Sequence, residues 1–127
     1  DIDRPGADSF RHREAGAVEV AIVSGHRWAL MHELRGEAEP GLSDVLSRLS
    51  PCDLVLVEGY KREGHPMIEV RRVGAKSLEP LAPDNPAIVA VASDHPTEAG
   101  RLPRFSIDAV ADIADFIERH TGLNSAR

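Results

Sequence analysis

An acidic residue and a glycine follow a short apolar run near the middle of the chain. Residues 54–57 are Leu-Val-Leu-Val, and Glu58 and Gly59 come directly after them. A Walker-B strand has this form, because it delivers one carboxylate to Mg²⁺ beneath a bound phosphate. The glycine would let backbone approach the phosphates closely, and Lys61 would neutralise phosphate charge. An ordinary turn or capping acid beside a solvated lysine explains the same residues, so the pattern leaves both interpretations open.

A second group of reactive side chains lies in the first 17 residues. Asp1 and Asp3 alternate, as at the end of a strand, and could offer carboxylates to a metal. Arg11 and His12 add hydrogen-bond donors within the first turns of a predicted helix, whose N-terminus would attract an anion. A capped surface helix of mixed charge is the alternative interpretation of this segment.

Several common catalytic and metal-binding motifs are absent from the 127 residues. The histidines show no His-Glu-x-x-His spacing, and there is no Gly-x-Ser-x-Gly nucleophile motif. No phosphate-binding loop of the form Gly-x-x-x-x-Gly-Lys-Ser/Thr occurs either. The single Cys52 excludes an internal disulfide and a cysteine-based zinc site. It is typical of a reducing cytosol, so we expect a cytoplasmic protein.

The hydrophobic pattern predicts five strands. Residues 18–24 are short and β-branched. Residues 28–34 fit either a helix or a strand, and the alternation of their side chains between two faces favours a strand. The apolar runs within 53–59 and 87–92 suit central strands that are buried on both faces. Residues 67–73 alternate with more polar side chains, which predicts a strand nearer an edge of the sheet.

Three amphipathic helices are predicted around these strands. Their expected limits are Asp8 or Ser9 to Gly16, residues 42–49, and Ser106 to Gly122. Buried strands that alternate with helices predict an α/β fold with a largely parallel sheet. Ligands of such sheets lie beyond the carboxyl ends of the strands. That rule singles out Ser24, Glu58, Gly59 and Asp94.

The composition and net charge of the chain limit the classes of protein to which it can belong. The chain has 127 residues, 42% of them hydrophobic and 28% charged, which fits one soluble domain. A net charge of −6 argues against a nucleic-acid binder. No stretch of apolar residues is long enough for a membrane span. The first residue is Asp1 rather than Met, from which we expect the chain to begin inside a longer gene product.

Four blocks of the sequence resemble the molybdopterin-guanine dinucleotide biosynthesis protein B (MobB) family, in the same order. They are residues 1–17, 27–34, 53–61 and 88–94. The similarity extends from residue 1 to about residue 122. We therefore identify residues 1–127 as a MobB-like domain that is incomplete at its N-terminus.

The resemblance implies a P-loop NTPase-like α/β fold, with a mostly parallel sheet and flanking helices, lacking here the N-terminal strand, P-loop and helix. It implies binding of GTP and Mg²⁺ with feeble hydrolysis, and we expect both ligands only where the missing P-loop is present. Whether the chain is an enzyme stays open. The implied role is to assist a MobA-type guanylyltransferase in attaching GMP to molybdopterin, with a homodimer as the implied assembly.

The resemblance also assigns roles to residues. Glu58 matches the Walker-B acid and Asp3 matches the acid of a switch-like segment, so both are expected at the metal. The expected nucleotide-binding residues are Arg11, His12, Gly59, Lys61 and Asp94. One alternative is a non-catalytic adapter that docks on the guanylyltransferase or on molybdopterin without binding nucleotide. Another is an α/β domain that binds a different acidic small molecule.

Overall fold

The computed structural model describes Pro5 and residues 7–123 of the chain. Its elements fall into two units, Asp1–Ser50 and Pro51–Arg127, called unit 1 and unit 2 below. Unit 1 contains α1 (Asp8–Glu14), β1 (Glu19–Val23), β2 (Trp28–His32) and α2 (Leu42–Leu46). Unit 2 contains β3 (Met67–Arg71), a 3₁₀ turn (Ala82–Asp84), β4 (Ile88–Ser93), β5 (Arg104–Ser106) and α3 (Val110–Thr121). None of the helices in the described part of the chain combines the length and apolar character that crossing a bilayer requires.

Unit 1 is built around a β-hairpin. The two predicted strands are confirmed, and they pair antiparallel with Val23 opposite Trp28 and Glu19 opposite His32. Ser24 closes the turn, because its hydroxyl oxygen accepts hydrogen bonds from the backbone N–H groups of residues 26 and 27. Along each strand, exposed residues alternate with half-buried ones. The helix α1 packs against β1, so only one face of the hairpin is covered within unit 1.

The two helices of unit 1 differ in detail from the prediction. Asp8 is the first helical residue of α1, and Ala7 occupies the N-cap without a side-chain hydrogen bond. The expected cap at Asp8 or Ser9 is therefore wrong, since Ser9 is buried inside the helix instead. Gly16 follows α1 with φ +112°, which confirms its predicted role as the left-handed stop. The helix α2 ends at Leu46, before the predicted limit, and the N–H groups of Arg48 and Leu49 form tighter i→i+3 hydrogen bonds.

His32 links two acidic side chains on unit 1. Its Nδ1 lies 3.2 Å from Glu19 Oε2, and its Nε2 lies 3.2 Å from Glu37 Oε2. The hydrogen bonds to Glu37 and then to Glu19 raise the pKa of His32 above its ordinary value of 6.5. Since both carboxylates favour the charged ring, the imidazolium ties the hairpin to the segment that follows it.

We expect the stability of the hairpin to fall as the pH rises. A raised folded-state pKa means that the contribution of His32 is complete below pH 6.5 and is lost as the pH rises through the raised pKa. Trp28, the one tryptophan of the sequence, lies in the same strand and reports unfolding by fluorescence. Denaturation midpoints of the wild type should decline across this range, and His32→Gln should flatten the decline.

A histidine in the same hairpin provides the control for this measurement. His26 lies in the turn and is exposed, and its side chain makes no described hydrogen bond. His26→Gln should therefore keep the pH dependence of the wild type. An equally steep decline in His32→Gln would show that the two carboxylate contacts do not stabilise the hairpin.

Unit 2 is organised by a three-stranded parallel sheet in the order β3-β4-β5. The central strand β4 carries the apolar core, with Ala90 and Val91 fully buried and Ile88 and Ala92 nearly so. The two predicted strands at 67–73 and 87–92 are confirmed, and the first lies at an edge as expected. A run that is apolar on both faces becomes the central strand because both of its faces are covered. The α/β class with a parallel sheet is thus confirmed for this unit.

Strand β5 was not predicted, and the last helix begins later in the chain than predicted. Ser106 was the expected cap, but it ends β5, and its hydroxyl accepts a hydrogen bond from the N–H of Asp108 in the turn. The helix α3 begins only at Val110. Phe105 of β5 contacts Phe116 of α3, with ring centroids 5.6 Å apart, which holds the helix against the strand. Gly122 ends α3 with φ +78°, as predicted.

The predicted buried strand at residues 53–59 is wrong. These residues form no strand, and residues 53–56 are exposed, with Leu56 77% accessible. A strand is stabilised by ladder hydrogen bonds to a neighbour, and neither sheet of the described residues includes this segment. The apolar run has the composition of a central strand but no strand pairs with it in the described part of the chain.

Candidate functional site

The residues singled out by the sequence are divided between the two units. Arg11 and His12 lie on α1 of unit 1, where both are exposed. Glu58 and Gly59 lie in the irregular segment of unit 2, and Gly59 adopts φ +87°, a conformation that favours glycine. Asp3 lies outside the described residues. The carboxylate of Glu58 is therefore not delivered by a strand, and the expected Walker-B geometry is not formed here.

Asp94 lies directly after β4, at the carboxyl end of the parallel sheet. Its Oδ1 accepts a hydrogen bond from the backbone N–H of Val73 at 3.0 Å and lies 2.8 Å from Nδ1 of His95. These two contacts, that with His95 first, lower the pKa of Asp94 below its ordinary value of 3.8. Asp94 therefore remains a carboxylate at neutral pH, and it connects the ends of β3 and β4 while fixing the ring of His95.

A buried ion pair runs along one face of β3. Glu69 and Arg71 are two residues apart, so both side chains point to the same face, and their side chains are only 5% and 8% exposed. Arg71 Nη2 donates to Glu69 Oε1 at 3.1 Å. The carboxylate also accepts hydrogen bonds from the backbone N–H groups of Leu81 and Ala82, each at 2.9 Å.

The environment of Glu69 keeps it charged in spite of its burial. Burial acts to raise its pKa, but the hydrogen bonds from Arg71, Leu81 and Ala82 outweigh that effect and lower the pKa below 4.5. On its other side, Arg71 donates from Nη1 to Thr97 Oγ1 and to a backbone carbonyl in the same loop, each at 2.7 Å. The pair thus joins the loop before β4 to the loop after it through the edge strand β3.

A groove of about 710 Å³ lies beside this ion pair, within unit 2. Its walls come from β3, from the loop that follows β3, and from His95 after β4. Lys61, one of the predicted residues, lines the same groove as His95, whereas Asp94 is not among the lining residues. Glu58 and Gly59 are not among the lining residues. The groove extends from Asp84 and Asn85, which precede β4, along β3 to His95, which follows β4.

The described residues contain no group of three or more His, Cys, Asp and Glu side chains close enough to hold a metal ion. Glu58 carries an exposed carboxylate. Mg²⁺ is usually bound through one or two carboxylates together with waters and substrate phosphates, so the metal-binding role of Glu58 stays a prediction.

Two buried charged side chains that line the groove were not predicted as site residues. Glu69 and Arg71 were included in a polar edge strand, although their i, i+2 spacing places two opposite charges on one face. That spacing was the available signal. The ordinary expectation that charged residues lie outside obscured it, and Val70 between them is the exposed residue instead, at 60%.

Comparison with known proteins identifies the family. The sequence model described as "Molybdopterin guanine dinucleotide synthesis protein B" (MobB) matches residues 1–94. A molybdopterin-guanine dinucleotide biosynthesis adapter protein of Escherichia coli (strain K12) is 41% identical over 120 residues, covering 92% of this chain and 67% of the relative. A protein of the same name from Haemophilus influenzae (strain ATCC 51907 / DSM 11121 / KW20 / Rd) is 37% identical over 120 residues, covering 92% of this chain and 64% of that relative.

These matches include all four blocks of sequence on which the resemblance was based. The chain spans about two thirds of the length of each relative. The family model covers α1, the hairpin and the parallel strands β3 and β4. On this evidence, the chain belongs to the molybdopterin guanine dinucleotide synthesis protein B family.

Proposed function

We propose that the chain acts in the synthesis of molybdopterin guanine dinucleotide, as an adapter for the guanylyltransferase that attaches GMP to molybdopterin. The observation that carries the proposal is the 41% identity, over 92% of the chain, to a relative named as an adapter protein of this pathway. The proposed partners are a MobA-type guanylyltransferase, molybdopterin and a second copy of the chain in a homodimer.

The exposed face of the hairpin supports a docking role. Val23 and Trp28 lie directly opposite each other in the register and are 74% and 71% exposed. Leu30, two residues from Trp28 and on the same face, is 53% exposed. Large apolar side chains that cluster on a surface mark protein interaction sites. Tryptophan is moreover among the residues that dominate binding energy at interfaces.

The proposal also includes binding of GTP and Mg²⁺, under one condition. The 127 residues contain no Gly-x-x-x-x-Gly-Lys-Ser/Thr motif, and the backbone N–H groups and lysine of that loop are what hold nucleotide phosphates. We therefore propose nucleotide binding only where a P-loop accompanies this chain. In that setting Glu58 and Asp3 would bind the metal, and Arg11, His12, Gly59, Lys61 and Asp94 would serve the nucleotide. Whether GTP is hydrolysed is a separate question.

The non-catalytic alternative is supported by the names of the relatives, both of which are called adapter proteins. An adapter requires no nucleotide or metal chemistry, because docking needs only an accessible surface. Calorimetry with Mg²⁺-GTP separates the two forms of the proposal when a P-loop accompanies the chain, because the GTP-binding form then shows saturable binding and the non-catalytic adapter does not.

A reconstituted synthesis tests the proposed function. With the guanylyltransferase limiting and with molybdopterin and Mg²⁺-GTP supplied, adding the chain should raise the rate of dinucleotide formation until it saturates. Heat-denatured chain is the control and should leave the rate unchanged. An unchanged rate at every ratio of chain to guanylyltransferase would contradict the adapter role.

A further inference from the structure

We propose that His32 is the proton sensor of a clasp, which holds the turn after β2 closed when its ring is charged and releases the turn when the ring is neutral. The clasped turn consists of Leu34, Arg35, Gly36 and Glu37. The clasp lies wholly in unit 1, and neither a ligand nor a partner protein takes part in it.

The turn adopts a backbone conformation that is unusual for one of its residues. Arg35 has φ +45° and Gly36 has φ +90°, and the N–H of Glu37 donates to the carbonyl of Leu34 at 2.8 Å. Two successive positive φ angles closed by such a hydrogen bond are typical of a type I′ turn. Glycine adopts a positive φ readily, whereas for arginine it is uncommon. A residue in such a conformation persists only where surrounding contacts hold it there.

Two contacts on opposite sides hold the turn in place. On one side, Nη2 of Arg35 donates to the backbone carbonyls of Arg13 and Ala17, at 3.4 and 3.2 Å, near the C-terminal end of α1. On the other side, Oε2 of Glu37 lies 3.2 Å from Nε2 of His32. The guanidinium keeps its charge at any ordinary pH, but the charge of a histidine changes near neutrality. The contact with His32 is therefore the pH-sensitive one.

The surroundings of His32 fit only the charged ring. Each ring nitrogen lies 3.2 Å from a carboxylate oxygen, Nδ1 from Glu19 and Nε2 from Glu37. An imidazolium donates from both nitrogens, whereas a neutral ring donates from one and carries a lone pair on the other. Loss of the proton therefore places a lone pair against one of the two carboxylates. The same contacts, that with Glu37 first, raise the pKa of His32 above 6.5, which brings the change into the neutral range.

The contact with Glu37 is the one that the neutral ring gives up. Glu19 lies directly opposite His32 in the ladder of β1 and β2, so strand pairing keeps these two side chains together. Glu37 lies in the turn, and its side chain is 62% exposed, against 48% for Glu19. Release of Glu37 also lets Arg35 leave its left-handed conformation, whereas release of Glu19 relieves no such strain.

The other charged side chains near the clasp have partners of their own. Arg13, on the helix that packs against β1, has its Nε 3.6 Å from Oε1 of Glu33. Arg35 is held by the carbonyls at the end of α1. In the described part of the chain, Glu19 and Glu37 are thus the acids that face His32, and the proton on the ring is what makes both contacts favourable.

The segment that the clasp controls connects the hairpin to α2. Residues 35–41 are all exposed, and α2 begins at Leu42. Exposed backbone of this kind opens locally, without unfolding of the elements beside it. A rise in pH through the neutral range therefore loosens this connection while the hairpin stays paired.

Nuclear magnetic resonance of the ring signals of His32, recorded across a pH titration of the chain, tests the contact. E37Q removes one of the two carboxylates, so the pKa of His32 should be lower in this variant than in the wild type. E39Q makes the same change two residues later, at an exposed glutamate without a described contact. It is the matched control and should leave the pKa of His32 unchanged.

Hydrogen exchange of individual amides tests the opening itself. From about pH 5 to about pH 8, the protection factor of the Glu37 amide should fall several-fold in the wild type, and this pH dependence should be absent from H32Q. The amides of Ile22 and Ala29, which pair in the hairpin ladder, should change much less. An unchanged pKa of His32 in E37Q, constant protection of Glu37, or an equal loss of protection in the ladder would overturn the proposal.

Discussion

Replacing Arg71 by alanine should destabilise unit 2 by about 3–5 kcal/mol, because the substitution leaves the carboxylate of Glu69 buried without its partner. Both side chains are less than one tenth exposed. The loss is larger than that of a surface ion pair, which contributes at most about 1 kcal/mol. Arg71 also gives up its hydrogen bonds to Thr97 and to the loop carbonyl. Urea denaturation followed by circular dichroism measures the change.

A pair of glutamates provides the matched control for this prediction. Glu69→Gln removes the buried charge, whereas Glu58→Gln makes the same change at an exposed position. Glu69→Gln should be clearly destabilising, and Glu58→Gln should change stability by no more than about 0.5 kcal/mol. Equal effects of the two substitutions would show that the ion pair does not hold the loops to β3.

The lowered pKa of Glu69 adds a pH dependence to the same measurement. Its stabilising contribution is present above its ordinary value of 4.5 and is lost as the pH falls through the lowered folded-state pKa. The wild type should therefore lose stability in acid. In Glu69→Gln this part of the acid loss should disappear.

A strand was predicted correctly where its hydrophobic pattern in the sequence matched its pairing and burial in the folded chain. The strand β4 was predicted from its continuous apolar run, and the prediction was correct because the strand is covered on both faces in the structure. Residues 54–57 have the same pattern, but no strand pairs with them among the described residues, so the prediction failed there. The three residues of β5 are too short for any periodicity, and Arg104 at its start is exposed.

The groove could not be predicted from local sequence patterns, because the contacts that form it join residues far apart in the sequence. Glu69 contacts residues 12 and 13 positions away, and Arg71 contacts residues 26 and 27 positions away. Such contacts depend on how the loops before and after β4 return to β3, which no local spacing encodes. Lys61 and Asp94 were identified from motifs. The contact of His95 with Asp94 and its place in the groove became visible only in the structure.

The second large effect concerns the exposed face of the hairpin. Trp28→Ala should weaken association of the chain with the guanylyltransferase by about 30-fold or more, as expected for an exposed tryptophan at the centre of an interface. Trp28 is 71% exposed, so little of its side chain supports the fold, and the hairpin should remain intact. Isothermal titration calorimetry of the variant against the purified enzyme gives the dissociation constant.

A control variant in unit 2 tests whether weaker binding reflects loss of the docking residue Trp28 or only loss of exposed apolar surface. Val110, at the start of α3, is also 71% exposed. Val110→Ala should bind the guanylyltransferase as the wild type does. Circular dichroism of both variants verifies that the secondary structure is retained, so that a weaker interaction reflects the surface and not unfolding.

The most direct measurement of the adapter role is the calorimetric titration of the wild-type chain into the guanylyltransferase. We expect saturable binding of defined stoichiometry that Trp28→Ala weakens and Val110→Ala leaves unchanged. An equal dissociation constant for the wild type and for Trp28→Ala would contradict docking through the hairpin. The absence of any saturable heat, with the proteins also migrating separately in sedimentation, would contradict the adapter role itself.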